Sequence, residues 1–247
     1  MTDATVIDDA PAKQGLTLAL LDKALTFQAP MTDRHIARIR VNRPDATPEQ
    51  VVKRLNVELR AATIAGGVGV GAAAAAPAVG TGVALAISGG EAIAFLNATV
   101  LYILARAEVQ GIRVDDIERR RTLVMAILLG DLGAKSVTQV AERTGQHWAR
   151  QLVSKIPMSQ IKAANKVLGH NFITKYGTKQ GIIVLGKVVP FGIGAVIGGA
   201  ANALASQGVI TASNLAFGDI RLSWDDSAEA DTGPESKAPR AELSEEL

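Results

Sequence analysis

Thirty consecutive residues, Ala61 to Gly90, carry no charge, and the last 25 of them read GGVGVGAAAAAPAVGTGVALAISGG. Eight of those 25 are glycine, eight are alanine and only six are Val, Leu or Ile. Four structures could use so many small residues: a phosphate-binding loop, a membrane span, a flexible linker, or helices packed backbone to backbone. GVGAAA (69–74), with Glu91 twenty residues beyond Gly71, imitates a dinucleotide-binding fingerprint. That motif needs a buried strand before it and an unbroken helix after it. Here a good helix precedes it, and Pro77 interrupts the helix that would have to come after it. A linker would carry serine and polar residues rather than valine and alanine. Length alone would allow a membrane span, but glycine and alanine contribute little insertion energy.

Close helix packing remains. A second uncharged run, Val188 to Gly218, has the same character and is interrupted by Pro190. Gly67 and Gly71, Gly194 and Gly198, and Ala195 and Gly199 are each four residues apart. Small residues at that spacing let two backbones approach closely, in a bilayer or in a compact bundle. Asn97 and Asn202 interrupt otherwise apolar helix surfaces, and a buried amide must find a partner, which predicts interhelical hydrogen bonds.

Aromatics make up 4% of the 247 residues, and apolar content is mostly Ala, Val, Ile and Leu, which favours helices over a β-sandwich. Without cysteine, disulfides, thiolate metal sites and a cysteine nucleophile are excluded. The acidic MTDATVIDDAPAK start has no apolar region of the kind a secretory signal needs.

Charge is unevenly spread. Residues 1–12 hold three acids and no base, and residues 225–247 hold eight acids and two bases, so the chain's net +2 leaves the body between them near +11. No acid occurs between Glu142 and Asp219, an interval with eight bases: Arg143, Arg150, Lys155, Lys162, Lys166, Lys175, Lys179 and Lys187. Such a body suits an anionic partner, nucleic acid or an acidic membrane, unless its acids lie elsewhere in the fold. Nucleic acid is disfavoured, because aromatics are nearly absent from the basic stretch and no recognition motif is present.

Helical signals run along the chain. LTLALLDKALTF (16–27) is amphipathic, and TDRHIARIR (32–40) places Thr32 as an N-cap. Thr47, Pro48 and Gln50 form a helix start with a capping box. A long helix is expected from about Val83 to Gln110, ending at Gly111. Asp115 and Asp116 suit the N-terminus of the next helix. KSVTQVAERTGQHWARQLVSKI reads as one helix ending at Pro157. In MSQIKAANKVLGHNFITKY, Lys162, Lys166 and His170 fall on one side, with Ile161, Leu168 and Phe172 toward the other.

The run KIPMSQIKAANKVLGHNFITKYGTKQGIIVLGKVVPFGIGAVIGGAANAL (155–204) resembles the hallmark region of EcsC-like proteins. The matching positions are Ile156 and Pro157, Asn165 and Lys166, Thr174 to Gly177, Gly186 to Pro190, and Gly192 through Asn202. The resemblance covers about residues 30 to 220. It implies a helical, membrane-related protein, and it carries no catalytic residues.

Enzymatic signatures are missing from the sequence. His35, His147 and His170 are scattered, with no H-E-x-x-H, and no G-x-S-x-G elbow occurs. Asp131, between glycines in LLGDLG, reads as a turn after a helix, and Glu91 is the one odd carboxylate at the end of an apolar run. The sequence therefore predicts an all-α multi-helix bundle with two Gly/Ala-rich apolar hairpins. A disordered leader (1–14) and a disordered acidic tail (225–247) flank one helical domain (15–224). The expected role is non-enzymatic, without cofactor or metal, at the inner face of the plasma membrane. Lys155, Lys162, Lys166, Lys175 and Lys179 would meet an anionic lipid surface or a membrane protein such as a transporter. Gly67, Gly71, Gly194, Gly198 and Asn202 would pack helices, with room for a homo-oligomer. The alternative is a helical protein-interaction module without a lipid role.

Overall fold

The computed structural model describes residues 10–74, 81–140, 147–177 and 194–224. Among these it contains eight helices and no strand. They are α1 (Ala10–Asn42), α2 (Pro48–Ala74), α3 (Thr81–Val109), α4 (Ile117–Leu129), α5 (Asp131–Val140), α6 (Trp148–Ser154), α7 (Met158–Phe172) and α8 (Gly194–Phe217), with a π-turn at Ile173–Gly177 after α7.

Helix α1 corrects the two-helix expectation. It begins at Ala10, inside the stretch read as a leader, and runs through Pro30. The reason is an unbroken apolar face. Leu21, Ala24, Leu25, Gln28, Thr32, Ile36 and Ile39 are all buried and recur at helical spacing on both sides of the proline. Burial of that stripe outweighs the single backbone bond that Pro30 removes. Thr32 is therefore no cap. Its hydroxyl donates to the Gln28 carbonyl one turn back, at 2.9 Å.

The capping box at α2 forms as expected. Gln50 N donates to Thr47 Oγ1 at 3.3 Å, and Thr47 N donates to Gln50 Oε1 at 3.2 Å. Thr47→Ala should cost about 1 kcal/mol, read as a lower urea midpoint with an unchanged m-value.

Helix α2 contacts α3 and α8, and its Glu58 meets His35 of α1 at 2.7 Å. Tyr102 Oη donates to Asn56 Oδ1 at 2.8 Å, which fastens α3 to α2. Arg60 donates to Gln207 at 2.7 Å, and Asn202 Nδ2 donates to the Thr63 carbonyl at 2.9 Å. Residue numbers rise on α2 as they fall on α8, so the two helices are antiparallel. Carried further, that register sets Gly67 level with Gly198 and Gly71 level with Gly194. The two small-residue segments thus share one helix pair. The hairpin turns expected at Pro77 and Pro190 lie outside the described residues.

Helix α4 is a hub of the fold. Thr122 through Leu129 are buried without interruption, so the helix is surrounded on every side. It touches α5, α6 and α7, and also α1, α3 and α8. Asp116 caps it, accepting from Arg119 N at 3.0 Å. Gly130, at φ +65°, turns the chain directly into α5. Asp131 is accordingly the first residue of a helix and lies in its positive first turn.

The single helix expected over residues 135–156 is replaced by α5 and α6, with 141–146 outside the described residues. His147 stands in the left-handed region at φ 71° before α6, and its backbone N–H donates to Leu215 O at 3.3 Å. The last described residue is pinned. Trp224 Nε1 donates to the Ala46 carbonyl at 2.8 Å, and the Arg40 and Arg221 guanidiniums lie 4.6 and 4.9 Å from its ring centre.

Candidate functional site

The acid-free interval divides into two kinds of cation. Some close helix ends. Arg150 donates to the Gln110 carbonyl beyond α3 at 3.0 Å, and Lys175 Nζ donates to Leu128 O near the end of α4 at 3.0 Å. Arg119, from α4, does the same for Leu152 and Ile156 around the end of α6. Each places positive charge where unpaired carbonyls and the helix dipole favour it. Burial pulls the Lys175 ammonium below its ordinary pKa. Lys175 is exposed like the other lysines, and it also donates to a helix-end carbonyl.

Lys155, Lys162 and Lys166 are the other kind. All three are exposed. No carboxylate among the described residues lies within salt-bridge distance of them. Helix α7 contains no acid at all, and its exposed side reads Lys162, Ala163, Lys166, Val167 and His170. Its inner side is Ile161, Ala164, Asn165, Leu168 and Phe172, all buried. The sequence placed both sides correctly. Lys179 lies outside the described residues.

Asn165 holds α7 in place. Its Nδ2 donates to Glu118 O at 2.9 Å and to Glu118 Oε2 at 2.7 Å, while Oδ1 accepts from Thr122 Oγ1 at 2.7 Å. Glu118 is bound in turn by Arg121, which also grips Asp22 of α1 through two bonds of 2.9 Å. Burial works against the Arg121 charge, but Asp22 and Glu118 outweigh it and raise its pKa. One polar cluster therefore ties α1, α4 and α7 together behind the lysine face.

Asn97 and Asn202 both make interhelical bonds. Gln28 donates to Asn97 Oδ1 at 3.2 Å, and Asn202 is spent on Thr63. Gly67, Gly71, Gly194 and Gly198 lie in helical backbone, and Glu91 falls within α3 with its side chain outside the described set.

A feature without a counterpart among the sequence expectations lies between α2, α3 and α8. Arg106 is 1% exposed, and its Nε and Nη1 have no hydrogen-bond partner among the described residues. The Thr99 hydroxyl is buried without a partner among the described residues, and the Ser213 hydroxyl lies beside that of Tyr102. The signal was a lone arginine ending the apolar run FLNATVLYILA, with Thr99, Tyr102 and Arg106 on one helical face.

A cavity of about 140 Å³ beside α1 and the end of α3 mixes Asp33, Glu108 and Asp115 with Arg113 and Arg120. No group of three or more His, Asp or Glu able to hold a metal occurs among the described residues. One described segment, Ala92–Val109 of α3, is long and apolar enough to cross a membrane, and half of it is buried inside the fold. No protein-family model matches the chain, and no curated protein and no solved structure matches it.

Proposed function

We propose that this chain is a non-catalytic helical protein that docks on an anionic lipid surface at the inner face of the membrane, with α7 as the contact. The observation that carries the reading is the trio Lys155, Lys162 and Lys166, exposed along an acid-free stretch and without a salt-bridge partner among the described residues. Charges without partners attract an anionic surface at about 1 kcal/mol each. Val167, next to Lys166 and 46% exposed, gives the face an apolar point that can enter the headgroup layer. The likeness of residues 155–204 to EcsC-like proteins points the same way.

Co-flotation with vesicles tests the reading. The full chain should bind vesicles rich in phosphatidylglycerol, release in high salt, and ignore neutral phosphatidylcholine vesicles. The variant Lys155→Gln/Lys162→Gln/Lys166→Gln should bind about 3 kcal/mol more weakly, roughly a hundredfold. Undiminished binding by that variant refutes the contact.

A second reading is a helical interaction module with no lipid role. The burial of half of Ala92–Val109 within the bundle favours it. Recovery of the wild-type chain away from every vesicle would select it.

A further inference from the structure

The most anomalous group in the molecule is Arg106. A guanidinium has five N–H donors and keeps its charge at any ordinary pH. Arg106 is almost fully withdrawn from water, yet Nε and Nη1 donate to nothing among the described residues. Its one favourable side-chain neighbour is the Tyr102 hydroxyl, whose own hydrogen goes to Asn56. No described carboxylate lies within salt-bridge distance of it. The C-terminal dipole of α3 offsets part of the charge, but it supplies no acceptor for those two nitrogens.

Burying a charge without a partner is among the most costly things a fold can do. A trapped water would satisfy the donors and leave the charge uncompensated. An anion answers both needs. Ser213 flanks the Tyr102 hydroxyl, and its own Oγ is buried with no other acceptor or donor among the described residues. A guanidinium and a hydroxyl thus converge from α3 and α8, and Thr99 continues the same face of α3 one turn further on. One buried cation matches a single negative charge. A dianion would leave the interior net negative.

We infer that the α2–α3–α8 interface binds a carboxylate monoanion, held by Arg106 with Ser213 as a further donor. The carboxylate can come free, as a short-chain acid, or as the head of a fatty acid whose chain follows the apolar helices. This site is separate from the α7 lysines, so either can fail alone.

Thermal unfolding of the full-length chain tests it. Acetate would replace chloride at constant ionic strength, and decanoate would be added at micromolar levels in a parallel series. At a hundredfold excess over Kd, the wild-type Tm should rise by roughly 5–10 °C. Arg106→Met, which fills similar space without charge, should not respond, and Ser213→Ala should respond less. If Arg106→Met fails to fold, Arg106→Lys keeps the charge but loses the planar fork and should respond weakly. A response to acetate at millimolar levels identifies a free acid, and one to decanoate at micromolar levels identifies a fatty acid. Equal Tm in chloride and both carboxylates, or equal shifts in wild type and Arg106→Met, overturns the site.

Discussion

Gly133→Ala should destabilise the fold by about 3 kcal/mol, although it adds a single methyl group. Gly133 lies in the first turn of α5, where the chain has just reversed out of α4 at Gly130. A Cβ at Gly133 would fall on the Ala126 carbonyl oxygen and would stand 2.6 Å from Ala126 Cα. Those are backbone atoms of a helix buried on every side, so no side chain can swing away to make room. Helix α5 would have to lift off α4, unpacking Val137, which is 1% exposed. Gly208→Ala is the control. Gly208 lies inside α8, is exposed, and would have nothing within 4 Å of its new methyl. That change should stabilise by about 0.5–1 kcal/mol, because alanine gives up less backbone entropy in a helix than glycine. Urea midpoints of the two variants should move in opposite directions. A shared direction would mean that α5 and α4 do not approach as closely as the backbone places them.

The contrast between those two glycines also marks what the sequence could reveal. The Gly/Ala content led to the expectation of tight helix contacts, and the register of Thr63 with Asn202 and of Arg60 with Gln207 sets the two small-residue segments on one helix pair. Composition did not say which glycine faces a backbone, because that depends on helix crossings set by residues far away in the chain. Single-helix features were legible. Thr47 with Gln50, Asp116 at the start of α4, Gly111 at φ +67° as a stop, and the two sides of α7 all arise from neighbours within four residues. Thr32 misled because a local cap signal competed with a buried stripe that only the tertiary fold completes. The lysines show the same limit. Lys162 and Lys175 look alike in sequence and both are exposed, but only Lys175 reaches a carbonyl near the end of α4. Arg106 was passed over because an arginine in the last turn of a helix ordinarily reaches water, and burial by α2 and α8 is a long-range fact.

Asn165→Leu should cost about 2–4 kcal/mol, and the reason shows why α7 can offer its lysines at all. The side chain is 8% exposed and engages α4 through three hydrogen bonds, one of them to the charged Glu118 carboxylate. Bonds to a charged group contribute more than neutral ones. Leucine fills the space and leaves Glu118 with Arg121 alone among these partners. Asn165→Asp separates lost hydrogen bonding from lost packing. It keeps the shape but sets a carboxyl against Glu118 Oε2, which the amide reached at 2.7 Å. The repulsion raises the new carboxyl's folded pKa above its unfolded value. The folded state then holds the extra proton more tightly, so the deficit of this variant is greatest near neutral pH. It should shrink as pH falls through the raised folded pKa toward the unfolded one. The leucine variant has no new titrating group, so its deficit should stay level over the same range. Parallel curves for the two variants would show that the amide acts by shape alone. Converging curves would show that the Asp22–Arg121–Glu118–Asn165 chain orders α7 electrostatically. In that case, loosening the cluster should weaken vesicle binding without touching a single lysine.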